Sequence, residues 1–126
     1  MPAILMIDDD ADFSGLALAH FAGLGYTMAL ASNGKEGLLK AAAFKPDIIL
    51  LDIMMPEMNG IEVLRELQTA EETADVPVIV MSGKYFDQGM SELFGQERNF
   101  REFLGKPVVL AQLQQKIEAL LKLRRG

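Results

Sequence analysis

The sequence predicts an α/β fold in which a five-stranded parallel β-sheet carries helices on both faces. Short apolar runs alternate with longer amphipathic runs through all 126 residues, and such strict alternation is typical of parallel sheets with right-handed crossover helices. Several strand runs are apolar at consecutive positions, as expected of strands that are covered on both faces. A chain of this length is typical of one domain with one core.

Each apolar run is assigned to a strand, and each amphipathic run to a helix. The strands are Ala3–Ile7, Tyr26–Ala31, Asp47–Leu51, Val78–Met81 and Phe103–Leu104. The helices lie near Asp12–Leu24, Gly34–Phe44, Gly60–Glu72, Asp87–Glu97 and Leu110–Leu123. Local signals support three boundaries, because Asn59 can cap the third helix, Gly25 can end the first and Pro46 follows the second.

Composition excludes several classes of protein. The 18 acidic and 12 basic residues give a net charge of −6, so we expect no direct binding to nucleic acid, whose phosphates need basic partners. The absence of cysteine excludes a disulfide framework and a thiolate zinc site. The apolar run Ala3–Ile7 is too short for a signal peptide or a membrane span. We therefore expect a cytoplasmic protein without a membrane anchor.

Residues with chemically active groups follow four of the five predicted strands. They are Asp8, Asp9 and Asp10 after the first strand, Asp52 after the third, Ser82 and Gly83 after the fourth, and Lys106 after the fifth. Because ligands of such folds bind at the carboxyl ends of the strands, these groups are expected to share one site. One edge of the sheet would then carry carboxylates, a hydroxyl group and an ammonium group.

This set of groups predicts an aspartyl phosphorylation site. Crowded carboxylates require a shared proton or a cation, and oxygen ligands without nearby histidine or cysteine favour Mg²⁺ or Mn²⁺. An aspartate beside a metal can attack a phosphoryl group and hold it as an acyl phosphate. Lys106, Ser82 and the Gly83 amide would supply the charge and the hydrogen bonds that phosphoryl transfer needs.

The same segments carry a family resemblance. They read ILMIDDD at 4–10, DIILLDIMMPEMNG at 47–60, VIVMSG at 78–83 and FLGKP at 103–107. In this order and spacing they resemble the receiver domain of bacterial two-component response regulators, of the kind found in single-domain chemotaxis regulators. The resemblance covers nearly the whole chain. It implies one receiver domain over residues 1–126, with a flavodoxin-like sheet in the strand order 2-1-3-4-5.

The resemblance also implies a phosphoacceptor and a metal site. Asp52 would accept phosphate from a histidine kinase or a histidine phosphotransfer protein. Asp9, Asp52 and the backbone carbonyl of Met54 would bind Mg²⁺, and Asp8 would act through a water molecule. The chain would then be a switch that is phosphorylated and slowly hydrolysed, rather than an enzyme with an external product.

Switching residues are implied in the same way. Ser82 and the Gly83 amide would hydrogen-bond to the phosphoryl group, and Lys106 would pair with one of its oxygens. Phe103 would change rotamer together with Ser82, and the Lys106–Pro107 peptide bond would be cis. The altered surface would comprise the fourth helix, the fifth strand and the fifth helix. An unknown output protein, or a second phosphorylated copy of the chain, would bind there.

The region before the fifth strand departs from the family pattern. Residues 82–106 are a couple of positions longer than usual, and Glu97, Arg98 and Asn99 replace a small Gly-Ala pair. Tyr85 and Phe86 lie beside the predicted site. The departure leaves the site chemistry unchanged, but it leaves open the output partner and how far the fourth helix moves.

Other residues near these motifs are interpreted without a role in the site. Asp10 is placed at a helix start, where acidic residues are favoured. His20 is placed in packing at the edge of the core, because nothing near it in sequence would orient it as a ligand. Met54, Met55 and Met58 are interpreted as loop packing, since thioethers prefer Cu(I).

An alternative enzyme class shares part of the pattern. Asp8 and Asp10 form an Asp-x-Asp motif after a strand, an order similar to haloacid-dehalogenase-type phosphatases with Asp8 as nucleophile. Those enzymes need a further acidic pair after the lysine, whereas only Glu118 follows Lys106 here. Asp52 would also have no function in that mechanism.

Three alternatives remain for the kind of protein in which this receiver occurs. The chain is expected to be a stand-alone receiver, but a piece of a longer regulator or hybrid histidine kinase fits the same residues. A receiver-shaped interaction module that no longer needs phosphate is a third alternative. The intact set of Asp8, Asp9, Asp52, Ser82 and Lys106 argues against this last one.

Overall fold

A parallel sheet of five strands lies at the centre of the computed structural model, which describes residues 2–53, 58–83 and 88–125. The strands are β1 (Ala3–Ile7), β2 (Thr27–Ala31), β3 (Ile48–Asp52), β4 (Val78–Ser82) and β5 (Phe100–Gly105). Their spatial order is β2-β1-β3-β4-β5. This order confirms the predicted flavodoxin-like α/β fold.

Helices connect the strands. They are α1 (Ala11–Gly23), α2 (Gly34–Phe44), α3 (Gly60–Leu67), α4 (Glu71–Ala74), α5 (Gln88–Gly95) and α6 (Leu110–Arg125). Because α4 is an additional short helix, the fourth and fifth predicted helices correspond to α5 and α6. Within the described residues, none of the helices is both long enough and apolar enough to span a membrane.

Two apolar clusters cover the two faces of the sheet. Alternate residues of a strand point to opposite faces, so Leu5 and Ile7 belong to one cluster while Ile4 and Met6 belong to the other. The first cluster joins the sheet to α2, α3 and α5, and the second joins it to α1 and α6. The helices thereby hold the strand ends, and the residues that follow them, in fixed positions.

The predicted helix Gly60–Glu72 is wrong at its C-terminal end. The helix α3 ends at Leu67, and α4 forms a separate turn. The last turn of α3 closes with amide bonds from Gln68 to Arg65 and from Thr69 to Glu66, and threonine hydroxyl groups add hydrogen bonds to carbonyl oxygens at this break. The Thr69 hydroxyl donates to the carbonyl of Glu66 at 2.7 Å, and the Thr73 hydroxyl donates to that of Leu67 at 2.6 Å.

The predicted strand Phe103–Leu104 is too short. β5 begins three residues earlier at Phe100, and Arg101 is an extra residue in the register, since Val78 pairs with Phe100 and Ile79 pairs with Glu102. Such a bulge is common on edge strands, which tolerate charged residues. Glu102 forms an ion pair with Lys116 of α6 at 2.9 Å. The first half of β5 was missed because its charged residues do not form an apolar run.

The polar segment before β5 forms a buried network. Asn99 is 0% exposed, and its amide nitrogen donates to the carbonyl of Leu64 at 3.0 Å. The Gln68 amide nitrogen donates to the Asn99 side-chain oxygen at 3.1 Å and to a Glu97 carboxylate oxygen at 2.9 Å. The network joins the connection between α5 and β5 to the C-terminal end of α3.

Several local interpretations are confirmed. The Asn59 side chain accepts from the Glu62 amide at 3.0 Å in a capping box. The Asp10 side chain accepts from the Phe13 amide at 3.1 Å, which is a helix-capping role. His20 is partly buried, with Nε2 2.9 Å from Oε1 of Gln114. In addition, Met58 packs against the first cluster; Met54, Met55, Tyr85 and Phe86 lie outside the described residues.

Candidate functional site

Three carboxylates meet at the carboxyl ends of β1 and β3. Ile7 pairs with Leu51 in the parallel register, so Asp8 and Asp52 are the next residues on two adjacent strands. One carboxylate oxygen from each of Asp8, Asp9 and Asp52 lies within 4.8 Å of the others. Asp8 and Asp52 are buried, whereas Asp9 is exposed. The structure therefore brings together the three predicted metal ligands that belong to the described residues.

The ammonium group of Lys106 completes this cluster. Its Nζ lies 2.8 Å from Oδ2 of Asp8 and 3.3 Å from Oδ2 of Asp52. The backbone fixes the residue, because the Lys106 amide donates to the carbonyl of Ser82 at 2.8 Å. The Lys106–Pro107 bond is cis, in agreement with the expectation. Two neighbouring strands thus hold a cation between buried carboxylates.

The pKa of Lys106 responds to two opposing effects. Burial tends to lower it, but the hydrogen bond to Asp8 and the negative charges of Asp8 and Asp52 more than compensate. The net result raises the pKa of Lys106 above its ordinary value of 10.5. The side chain is therefore a fixed positive charge at neutral pH, suited to neutralise an oxyanion.

Ser82 and Gly83 lie at the carboxyl end of β4, the strand next to β3. Asp52 pairs with Met81, and Ser82 follows at the buried end of β4 with 1% exposure. A Cβ atom built on Gly83 would lie 3.9 Å from Cβ of Lys106. Phe103 pairs with Val80 and packs, partly buried, against the first cluster. The carbonyl of Met54 lies outside the described residues.

One residue of this neighbourhood was not predicted. The ring centroid of Phe13 lies 5.7 Å from Nζ of Lys106. These two residues are far apart in sequence, and the sequence pattern assigns Phe13 only to the apolar face of a helix. Its position three residues after the helix cap Asp10 is the signal that could have placed it at the site.

The family follows from comparison with known proteins. The family model described as response regulator receiver domain matches residues 4–118. The chain belongs to this family. Receiver domains of response regulators are phosphoacceptor signalling switches rather than enzymes in the usual sense, and an acidic pocket that binds Mg²⁺ is typical of them. The phosphatase alternative with Asp8 as nucleophile is not favoured.

Individual relatives agree with this membership. The receiver is 35% identical over 121 residues to protein PilH of Pseudomonas aeruginosa, covering 96% of this chain and 98% of PilH. It is 33% identical over 122 residues to the DNA-binding dual master transcriptional regulator RpaA of Synechocystis, covering 97% of this chain. In that case the chain spans only 50% of its relative's length.

A solved structure resembles the receiver over almost its whole length. It is the receiver domain of the sensor histidine kinase PA1611 from Pseudomonas aeruginosa, with a magnesium ion coordinated in its active site cleft. The TM-score is 0.84 at 26% identity, covering 96% of this chain and 98% of that one. Receivers of this fold thus occur in regulators and in kinases alike.

Proposed function

We propose that this receiver accepts a phosphoryl group on Asp52 from a phosphohistidine donor, in a reaction that depends on Mg²⁺. The donor would be a histidine kinase or a histidine phosphotransfer protein. The observation that carries the proposal is the convergence of a buried Asp52 with Asp8, Asp9 and the ammonium of Lys106. Such a site combines a nucleophile with the charges that phosphoryl transfer requires.

The phosphoryl transfer needs no reactant other than the phosphohistidine donor and Asp52. A carboxylate oxygen of Asp52 forms a bond to phosphorus, the bond between phosphorus and the donor histidine breaks, and the imidazole leaves with the electron pair. Lys106 stands 3.3 Å from Asp52, close enough to offset charge on a phosphoryl oxygen. Ser82 and the Gly83 amide are the proposed hydrogen-bond donors to the other oxygens.

The carboxylate cluster fits a hard divalent cation. Its oxygens lie within 4.8 Å of one another, and Mg²⁺ takes carboxylate and water oxygens in octahedral geometry. We propose Asp9, Asp52 and the Met54 carbonyl as direct ligands and Asp8 as a partner through water. A bound Mg²⁺ or Mn²⁺ would neutralise the carboxylates and orient the phosphoryl oxygens.

The proposed output is a change at the surface formed by α5, β5 and α6. Lys106 follows β5 directly, and its amide is bonded to Ser82 at the end of β4, so a new anion at Asp52 acts on both strands. We propose that Phe103, on the same strand, changes rotamer in response. An output protein or a second phosphorylated copy would bind the altered surface. We also propose that the switch acts in the cytoplasm, where its donor and its output partner would meet it.

Intact mass spectrometry tests the proposal directly. Incubation of the protein with acetyl phosphate and Mg²⁺ is expected to add the mass of one phosphate group, and peptide mapping is expected to locate it on Asp52. The same incubation with a chelator in place of Mg²⁺ is expected to give no adduct. A phosphate group on Asp8, or turnover of the donor without any adduct on Asp52, would refute the proposed acceptor.

Binding of Mg²⁺ is expected to raise the melting temperature. A ligand that binds only the folded state at about ten times its Kd stabilises that state by about 1.4 kcal/mol, which is about 4–6 °C for a domain of this size. Differential scanning fluorimetry with and without Mg²⁺ measures the shift, with NaCl at equal ionic strength as the control. No shift at about 10 mM Mg²⁺ would contradict a metal site at the cluster.

Lys106→Met is expected to separate phosphorylation from the response to it. Methionine keeps the apolar stem of the side chain but removes the charge that senses the phosphoryl group. The variant should still take phosphate on Asp52, although more slowly than the wild type, while the amide NMR shifts of β5 and α6 should no longer change on phosphorylation. Lys122→Met makes the same exchange at an exposed position and should respond like the wild type. A Lys106→Met protein that cannot be phosphorylated would contradict this division.

A further inference from the structure

We propose that Phe13 is a positioning residue for Lys106, whose ring holds the ammonium group against Asp8 and Asp52 and so accelerates phosphorylation. The effect on phosphorylation rests on the proposed function. The contact between the Phe13 ring and the Lys106 ammonium does not depend on that function. The ring centroid lies 5.7 Å from Nζ of Lys106. This distance is within the range of about 6 Å at which an aromatic face attracts a cation.

The surroundings of the ammonium group are asymmetric. On the side of the sheet, Nζ contacts the buried carboxylates of Asp8 and Asp52. On the other side the Lys106 side chain remains 21% exposed beside a cavity of about 360 Å³. Residues that line this cavity are Asp10, Phe13, Lys106, Pro107 and Val108. The Lys106 side chain therefore borders open space as well as the carboxylates.

The fold holds Phe13 in place at the border of this open side. Its backbone amide donates to the capping carboxylate of Asp10 at 3.1 Å, which fixes the first turn of α1. Its partly buried ring packs against the second cluster, which also contacts Leu104 and Val108 on either side of Lys106. Phe13 is thus anchored both through its backbone and through its ring.

The attraction has a consequence for phosphoryl transfer. The negative face of the ring quadrupole attracts the ammonium group of Lys106, which lies over the ring. When a phosphoryl group reaches Asp52, the cation must remain where it can offset the new charge. Phe13 does not touch the reacting atoms, and it acts through Lys106.

Double-mutant cycles between Phe13→Leu and Lys106→Met test this contact. Leucine keeps much of the apolar volume but has no aromatic face, and Phe13→Tyr keeps that face. The first cycle measures the unfolding equilibrium constant in urea without metal or donor. We expect a coupling of about two- to fivefold between the two positions, the size of an exposed cation–π contact. Phe13→Tyr should behave as the wild type.

The second cycle measures the rate of labelling by acetyl phosphate with Mg²⁺. A small donor is used so that docking of a protein donor cannot contribute. Phe13→Leu should slow labelling about two- to fivefold when Lys106 is present, and should have no effect in the Lys106→Met background. A purely structural ring would slow both backgrounds equally.

The outcomes separate this inference from the proposed function. Additive effects of the two substitutions in either cycle would overturn the positioning role of Phe13. If the wild-type protein takes no phosphate at all, the proposed function fails, and the unfolding cycle alone then decides the inference.

Discussion

Asp52→Asn is expected to abolish phosphate incorporation from acetyl phosphate under conditions in which the wild type gains one group. The asparagine amide has nearly the same shape as the carboxylate but is not a nucleophile toward phosphorus. Lys106 would keep its 2.8 Å contact to Asp8, so the fold around the site should persist. Intact mass spectrometry measures the loss, and an unchanged far-ultraviolet circular dichroism spectrum verifies that the variant is folded.

A matched substitution separates this effect from a general loss of negative charge. Asp12 is an exposed acidic residue in the first turn of α1 and lies outside the carboxylate cluster. Asp12→Asn should be labelled at the wild-type rate. Equal labelling of Asp52→Asn and wild type would exclude Asp52 as the acceptor, and Asp8→Asn would then show whether the nucleophile is the one expected of a phosphatase.

Much of this site was predictable because strand ends in parallel sheets share one edge. Asp8, Asp52, Ser82 and Lys106 each follow an apolar run, and the register brings three of these side chains to one ion-pair cluster. The fold class was predictable for a related reason, since the central strands are buried on both faces and read as continuous apolar runs. The same apolar runs therefore predicted both the strands and the positions of the site residues that follow them.

Features that depend on contacts between distant residues could not be predicted. Asn99 reads as a loop residue, yet it is buried because Gln68 and the carbonyl of Leu64 satisfy its amide. Phe13 reads as part of an apolar helix face, and only the three-dimensional structure shows its ring beside Lys106. A sequence period reports which face of an element is covered, but not which side chain covers it.

Gly60→Ala is expected to destabilise the receiver by about 1–3 kcal/mol, because a methyl group does not fit at this buried position. A Cβ atom built there would lie 2.4 Å from Cγ2 of Ile53, 2.7 Å from its Cβ and 2.9 Å from its backbone Cα. Rotation of the Ile53 side chain cannot remove the last two contacts, so the backbone must shift. Urea unfolding measures the change in the free energy of unfolding.

Gly15→Ala is the matched control for this substitution. Gly15 is exposed within α1, and nothing lies within 4 Å of a Cβ atom built on it. There the same methyl group should stabilise the protein by about 0.5–1 kcal/mol, because alanine favours the helix over glycine. A Gly60→Ala protein that is as stable as the wild type would show that Ile53 can move at no cost. Since Ile53 follows Asp52 directly, the strain at residue 60 should also slow labelling of the acceptor, whereas Gly15→Ala should leave its rate unchanged.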